Sequence, residues 1–125
     1  MVIFGTPPVK KPLNLEEAFL PIAALQTFFT ENPTEQEIIN AAEVALANAK
    51  DSKVIIDDFK NTIPRVRKCI AEDILDNNLA NEHEIYENLD VHKFIIAGDN
   101  DPSVNLAYQK RLNKISKKSN LIVFD

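Results

Sequence analysis

The chain has 125 residues, 45% hydrophobic and 26% charged, which is ordinary for a globular domain with its own core. Its formal net charge is −5, and only 2 residues are glycine, so an all-β sandwich or barrel with glycine-rich turns is disfavoured. The lone Cys69 excludes an internal disulfide, and no apolar stretch is long enough to span a bilayer, so we expect a cytoplasmic protein.

Apolar periodicity and capping residues predict six helices along the chain. Pro21 interrupts the first of them, because proline is tolerated only in a first helical turn. The clearest helix begins at Thr34, whose capping-box partner is Glu37, and a later one begins at Pro64. Gly98 ends the fifth helix in the position that glycine favours. The predicted helices are residues 14–30, 34–50, 52–61, 64–75, 81–97 and 101–117.

The two ends of the chain differ from this helical pattern. Residues 1–13 are an extended lead-in with three prolines, and residues 119–125 are an apolar tail. Each end contains a short β-branched and aromatic run, Val2–Phe4 and Leu121–Phe124. These runs could pair with each other as strands or dock separately on the helices.

These elements predict a single, mainly all-α domain over residues 1–125. Five to six helices would form stacked hairpins, with terminal segments able to form β-structure. An alternative interpretation treats Lys53–Asp57 and Lys93–Ala97 as buried parallel strands and the terminal runs as two more, which gives a small α/β sheet. The all-α fold ranks first because Ser52 and Asn81 are good helix caps and because an α/β fold needs glycine at its turns.

A pattern that nearly repeats supports the stacked arrangement. Pro64-Arg65-Val66-Arg67 and Pro102-Ser103-Val104-Asn105 open apolar runs 38 residues apart, and a period of this length is typical of stacked helical units. Small residues follow the two valines at matching positions, Cys69 and Ala107, as do aliphatic residues, Ile74 and Leu112. Over about residues 52–117 the pattern resembles the second helix of HEAT-type repeats. The resemblance implies a stack that binds proteins or nucleic acids and has no catalytic activity.

Residues that commonly carry chemistry do not form a recognisable site. Cys69 has a core-like helical position and is expected to be a small buried hydrophobic residue. His83 is expected in solvent and His92 at the edge of the core, on opposite sides of one helix. The segment from Asp99 to Ser103 begins like a calcium loop but lacks the glycine at position six and the glutamate at position twelve. We therefore predict no enzyme activity, no catalytic residue, no metal and no cofactor.

Basic side chains on the last predicted helix, within residues 102–118, are the best candidate binding surface. Lys110, Lys114 and Lys117 recur at helical spacing and would form one ridge. Such a cluster can contact phosphates, and an aromatic ring beside it can stack on bases. The candidate binding residues are Arg65, Lys68, Tyr108, Lys110, Arg111, Lys114, Lys117 and Lys118.

The sequence thus favours a non-catalytic helical module that binds another protein, as an adaptor, a regulator or an assembly subunit. We expect a protein partner or self-association, and no membrane partner. The alternative is a nucleic-acid-binding protein that uses the basic helix, although the net acidic charge disfavours it. A small α/β enzyme ranks third, because it needs the strand interpretation and a site that the sequence does not reveal.

Overall fold

The computed structural model describes residues 1–46 and 48–125, apart from the side chain of Ala49. The chain divides into two compact units. We call Met1–Leu20 with Leu79–Asp125 the sheet unit, and Pro21–Asn78 the helical unit. The α-helices are α1 (Leu15–Ala18), α2 (Glu35–Val44), α3 (Ser52–Asn61), α4 (Pro64–Leu75), α5 (Glu82–Asn88) and α6 (Leu106–Ile115), and 3-10 helices cover Ala23–Phe29 and Ala49–Asp51.

Three short parallel strands form the centre of the sheet unit. β1 (Val2–Phe4) pairs with β2 (Lys93–Gly98), and β2 pairs with β3 (Ser119–Phe124), in the order β1-β2-β3. β-Branched and aromatic residues dominate these runs, which suits strands of a parallel sheet. Of the two folds that the sequence predicts, the small α/β sheet is the one observed, and the first-ranked all-α fold is wrong.

One face of this sheet carries the core of the sheet unit. Ile95 is fully buried, and Lys93 and Ala97, which point to the same face, are almost fully buried. Helices α5 and α6 contribute the large side chains that lie against them. The core cluster consists of Val9, Ala18, Tyr86, Ile95, Tyr108 and Leu112.

Lys93 is a charged residue inside this core, and its ammonium group has polar contacts there. Its Nζ donates to the hydroxyl of Ser116 at 3.1 Å and lies 4.9 Å from the ring centroid of Tyr86. The Tyr86 hydroxyl in turn shares a 2.6 Å hydrogen bond with the hydroxyl of Ser119. Such contacts are needed because desolvation disfavours a buried charge.

Local signals determine the helical unit. The Thr34 hydroxyl accepts from the backbone N–H of Glu37 at 3.3 Å, and the Glu37 carboxylate accepts from the N–H of Thr34 at 2.7 Å. This capping box opens α2 as the sequence predicts. Pro64 occupies the first turn of α4. The predicted helices at 52–61 and 64–75 are confirmed as α3 and α4.

Arg67 lies in the interior of the helical unit. Its guanidinium group lies 4.0 Å from the ring centroid of Phe59. It also donates hydrogen bonds of 2.8 to 3.3 Å to four backbone carbonyl oxygens, which belong to Thr30, Glu31, Phe59 and Thr62. These carbonyl oxygens lie at or just beyond the ends of helical segments, where carbonyl groups lack the usual helical donor; that of Phe59 also accepts from the backbone N–H of Thr62 at 3.1 Å.

Three predicted helices differ from the structure. The predicted helix 81–97 is α5 followed by β2, because residues 93–98 pair with a strand on each side. The predicted helix 14–30 is α1 and a separate 3-10 helix, on either side of Pro21. The predicted helix 101–117 begins only at Leu106, which Asn105 caps.

Two further predictions change within the helical unit. Residues 53–57, an alternative strand, lie in α3. The helix predicted over 34–50 ends at Val44, and a 3-10 turn follows at Ala49–Asp51. Ala47, which the predicted helix includes, lies outside the described residues. In the part of the chain that the structure describes, no helix has the length and apolar character needed to cross a membrane.

The environments predicted for the cysteine and the histidines are also wrong. Cys69 is exposed, because α4 turns Arg67 inward and a residue two positions later points to the opposite side. His83 is buried, and His92 is exposed. Helix α5 contains His83 but ends at Asn88, and His92 lies beyond it, directly before β2, so the two histidines do not share the single helix on which that prediction depended.

Candidate functional site

The carboxyl ends of β2 and β3 meet at one edge of the sheet, and the loop after β2 carries two aspartates. β2 ends at Gly98, and the backbone N–H of Asp99 donates to the carbonyl oxygen of Phe124 at 2.9 Å. Open α/β sheets bind ligands outside the carboxyl ends of their strands. The loop from Asp99 to Ser103 is therefore the candidate functional site of the sheet unit.

Asp101 is fixed within this loop by the backbone that follows it. Its Oδ1 accepts hydrogen bonds from the backbone N–H groups of Ser103 and Val104, both at 2.8 Å. The intervening Pro102 has no N–H to satisfy, and its fixed φ suits a tight turn. The Asp101 side chain is half-buried, and because both bonds use Oδ1, Oδ2 can accept another. A carboxylate held in this way can orient the N–H of an imidazole ring.

The segment around α1 holds the Asp101 loop in place. Phe19 forms an isolated antiparallel bridge with Val104. The N–H of Leu20 donates to the carbonyl oxygen of Ser103 at 2.7 Å. The N–H of Asn105 donates to the carbonyl oxygen of Ala18 at 2.9 Å. Residues near the start of the chain therefore set the position of the Asp101 carboxylate.

Asp99 has a different environment. Its side chain is exposed, and its Oδ1 accepts a 2.7 Å hydrogen bond from the side-chain amide of the neighbouring Asn100. It has neither the burial nor the two backbone donors of Asp101. The two aspartates of the loop are therefore not equivalent, and Asp101 is the one that the fold fixes.

His92 lies away from this loop, and the ring of His83 faces other charged groups. His92 precedes β2 and Asp101 follows it, and a six-residue strand spans about 20 Å. The backbone N–H of His83 donates to the carbonyl oxygen of Val9 at 3.0 Å, and the charged groups that act on its ring are Lys10, Glu87 and Glu17.

His83, in the first turn of α5, lines a cleft of about 730 Å³. Burial lowers the pKa of His83, and Lys10 lowers it further, whereas Glu87 and Glu17 raise it. The ring is therefore neutral at pH 7. Among the described residues, no group of three histidine, cysteine or acidic side chains is arranged to hold a metal ion.

The structure divides the predicted basic surface between the two units. Arg65 and Lys68 lie on α4 in the helical unit, where Lys68 is within 3.6 Å of Glu31 and 3.9 Å of Glu72. The other predicted residues belong to the sheet unit. The exposed ones are Lys110, Arg111 and Lys114 on α6, and Lys117 and Lys118 beyond its end.

The predicted ridge is shorter than the spacing suggests. Ser116 is extended, so Lys117 does not continue the helical face of Lys110 and Lys114. Lys118 forms an ion pair with Asp90. Tyr108 is buried, and its hydroxyl donates to the carbonyl oxygen of Pro8 at 2.6 Å, so its ring is not presented for stacking.

Sequence reasoning missed Asp101 as a functional residue. The available signal was the alternative strand at 93–97 followed directly by an acidic loop, because carboxyl ends of parallel strands are where α/β proteins place site residues. Treating 81–97 as one helix moved Asp101 to a helix cap and removed this signal.

No protein-family model and no curated protein matches the chain. Solved structures do match: they are crystal structures of the N-acyl homoserine lactonase AidH. One, complexed with N-butanoyl homoserine, has a TM-score of 0.74 at 19% identity and covers 99% of this chain and 46% of AidH. A glutamate-to-glycine mutant complexed with N-hexanoyl homoserine has a TM-score of 0.77 at 16% identity, with the same coverage. The chain therefore spans less than half the length of these neighbours.

This likeness corrects three predictions. The neighbours have an α/β-hydrolase fold, so the resemblance to HEAT-type repeats is wrong. The prediction of a non-catalytic adaptor, with nucleic-acid binding as its alternative, is contradicted because the fold shared over nearly the whole chain is that of a hydrolase. The prediction that the protein is no enzyme is contradicted on the same ground. At this level of identity the likeness shows the fold alone: the chain has the fold of part of an α/β hydrolase.

Proposed function

We propose that this chain is the acid-bearing part of an α/β hydrolase that cleaves a carboxylic ester or a lactone. The observation that carries the proposal is the Asp101 carboxylate, fixed by two 2.8 Å backbone hydrogen bonds at the carboxyl end of β2. In α/β hydrolases the triad follows the chain order serine, acid, histidine, and catalysis takes place at this edge of the sheet.

Asp101 is the proposed acid of the triad, and Asp99 is not. A triad acid must hold one oxygen ready for an imidazole N–H while the rest of the carboxylate stays fixed. Asp101 meets this requirement, because Oδ1 is fixed and Oδ2 can accept. Its role would be to select the tautomer of the histidine and to stabilise the imidazolium ion that forms when the serine is deprotonated.

The nucleophile and the histidine would come from sequence outside these 125 residues. The chain has no Gly-x-Ser-x-Gly sequence, since its two glycines are Gly5 and Gly98. His83 precedes Asp101 in the chain, which is the reverse of the α/β-hydrolase order. The chain also spans only 46% of AidH, which leaves room for both missing members of the triad.

The proposed substrate class follows from the ligands of the neighbours and from the chemistry of the triad. The AidH structures are complexes with N-butanoyl homoserine, N-hexanoyl homoserine and N-hexanoyl homoserine lactone. A lactone is a cyclic ester, and a serine–histidine–acid triad hydrolyses esters through an acyl-enzyme. Because one fold supports many substrates, we extend the proposal to the ester bond and not to one acyl chain. The single cysteine keeps the cytoplasm as the proposed compartment.

A chimera tests the proposed function. The 125 residues replace the matching segment of AidH, and hydrolysis of N-hexanoyl homoserine lactone is measured by base titration. We expect measurable turnover, and Asp101→Asn should lower kcat about 10³- to 10⁴-fold, as loss of a triad acid does. Asparagine can accept the same two backbone hydrogen bonds through its side-chain oxygen, so the loop should keep its conformation.

Asp99→Asn is the matched control, because it removes a carboxylate two residues away on the exposed side of the same loop. It should change kcat only slightly. If Asp99→Asn abolishes turnover while Asp101→Asn does not, the assignment of the acid is wrong. A well-folded chimera that hydrolyses neither lactones nor simple aryl esters would contradict the proposed function.

A further inference from the structure

The two faces of the β1-β2-β3 sheet are both apolar, but the helices of the sheet unit cover only one of them. The register places Val2 beside Phe94 and Phe4 beside Ile96, and all four side chains point away from the core face. On β3 the same face presents Asn120, Ile122 and Phe124. We call the residues Val2, Phe4, Phe94, Ile96, Ile122 and Phe124 the open face.

The aromatic residues of the open face are well exposed. Phe4 is 75%, Phe124 59% and Phe94 40% exposed to solvent, whereas Ile95, on the core face of the same strand, is fully buried. Parallel sheets occur almost only with both faces covered. A contiguous aromatic and aliphatic patch of this kind marks a surface that another element covers.

The helices of the sheet unit do not supply that cover. Each successive strand of the chain is added on the same side of the sheet, in the order β1-β2-β3, and all three strands are parallel. Parallel crossover connections are right-handed, so successive steps in one direction place their connecting segments on the same face. The structure agrees, because Tyr86 of α5 and Tyr108 and Leu112 of α6 all belong to the core on the Ile95 side.

Such a sheet can cover its second face with the connections of further parallel strands that are added on the other side of β1, away from β2. Doubly wound sheets are built this way, with the strand order reversing at one point and the helices of each half lying on opposite faces. Among the described residues, β1 pairs only with β2, so its other edge can receive a parallel strand. The AidH structures contain more than half of their chain beyond the part matched here.

We infer that the open face and the outer edge of β1 form the docking surface for the complementary half of an α/β-hydrolase fold. That half would add a parallel strand to β1 and lay its helices over Phe4, Phe94 and Ile122. This inference rests on the proposed function in one respect only, namely that the complementary half would also carry the nucleophile. The surface itself follows from the open face and the handedness of the connections.

Co-expression tests this surface directly. The tagged 125-residue chain is produced together with the part of AidH that it does not match, as a separate polypeptide, and the recovered complex is measured by size-exclusion chromatography with light scattering. We expect a 1:1 complex. Phe94→Glu should lower the recovered AidH segment about tenfold or more, because a charge would be buried at the centre of an apolar contact.

The matched control is Val54→Glu, which makes the same kind of change at a 63% exposed position of α3 in the helical unit. It should leave recovery of the complex unchanged. Ile122→Glu gives a second change on the open face, and circular dichroism checks that each variant is folded. Hydrogen exchange on the unmodified chain adds a test without substitution, because the amides of Val2–Phe4 should exchange more slowly in the complex.

The outcomes separate this inference from the proposed function. An Asp101→Asn chain should form the complex normally. A variant that binds the AidH segment but does not hydrolyse the lactone therefore tests the assignment of the acid and not the docking surface. If the AidH segment is not captured, or if Phe94→Glu and Val54→Glu behave alike, the docking surface is refuted. If the chain instead forms a dimer of itself that Phe94→Glu dissociates, the occupant is a second copy and the inference is also overturned.

Discussion

The hydroxyl of Tyr108 donates a 2.6 Å hydrogen bond to the carbonyl oxygen of Pro8, which joins α6 to the segment that follows β1. Both residues are buried. The same segment leads into α1, where Ala18 accepts the N–H of Asn105 and Phe19 pairs with Val104. The contact therefore belongs to the set that fixes the loop of Asp101.

Tyr108→Phe should lower the free energy of unfolding by about 1–2 kcal/mol, because it leaves the buried Pro8 carbonyl oxygen without its donor. Urea denaturation monitored by circular dichroism measures the change. Tyr86→Phe is the control, since its partner, the hydroxyl of the half-buried Ser119, can rotate toward another acceptor or donor. If Tyr108→Phe costs no more than Tyr86→Phe, the Pro8 contact is not a significant source of stability.

Acidification should destabilise the sheet unit through His83. Burial and Lys10 lower the pKa of His83 below its usual value of 6.5, so in the acidic range the unfolded chain binds a proton more readily than the folded chain. The corresponding stability is fully present above pH 6.5 and is lost as the pH falls through the lowered pKa. His83→Gln should therefore flatten the dependence of unfolding free energy on pH just below neutrality.

The exposed His92 provides the matched control for this effect. His92→Gln controls for the replacement of a histidine as such, because it leaves the buried ring of His83 in place. The pKa of His83 can be measured by NMR titration of its imidazole protons. A His83 ring that titrates at or above 6.5 would contradict the burial argument.

Arg67→Met should destabilise the helical unit by roughly 2–4 kcal/mol, because several carbonyl oxygens lose their donors at once. The change keeps the aliphatic stem but removes the guanidinium group from its place over Phe59. Hydrogen exchange within α3 and α4 should report the loss. Lys68→Met is the control: it removes an exposed cation on the next residue, whose ion pairs with Glu31 and Glu72 are worth little. Equal effects for the two variants would argue against an interior role for Arg67.

Thr34→Ala should cost about 1 kcal/mol, the usual loss for an N-cap. Both halves of the capping box with Glu37 are formed, and the change removes the hydroxyl that accepts from the backbone N–H of Glu37, whereas the backbone N–H of residue 34 can still donate to the Glu37 carboxylate. The loss should appear as faster hydrogen exchange in the first turn of α2. Thr30→Ala, which removes only an exposed bond to the carbonyl oxygen of Gln26, should have a smaller effect.

Elements specified by adjacent residues could be predicted from the sequence. The Thr34 capping box and Pro64 at the first turn of α4 act over one helical turn, so their consequences can be read locally. The segment 93–98 could not be decided in this way. An apolar run of six residues satisfies a buried helix and a buried strand equally, and only pairing with β1 and β3, from the two ends of the chain, makes it a strand.

The candidate site shows the same limit. An aspartate followed by proline indicates a turn or a helix cap, and the turn is what Asp101 makes. Its functional position depends on β2 ending at Gly98 and on the α1 segment that holds Val104. The predicted lysine ridge ends before Lys117 for a related reason, because the chain becomes extended at Ser116 to enter β3.

The sequence by itself determined the composition of a globular chain, the starts of α2 and α4, and the apolar character of the three segments that become strands. Tertiary structure alone decided that those three segments pair as one parallel sheet, that His83 is buried and Cys69 exposed, and that Asp101 stands at the edge where such sheets carry their sites. The physical reason is range: caps and turns are satisfied by neighbours in sequence, whereas strand pairing and burial depend on hydrogen-bond partners and apolar contacts that lie tens of residues away.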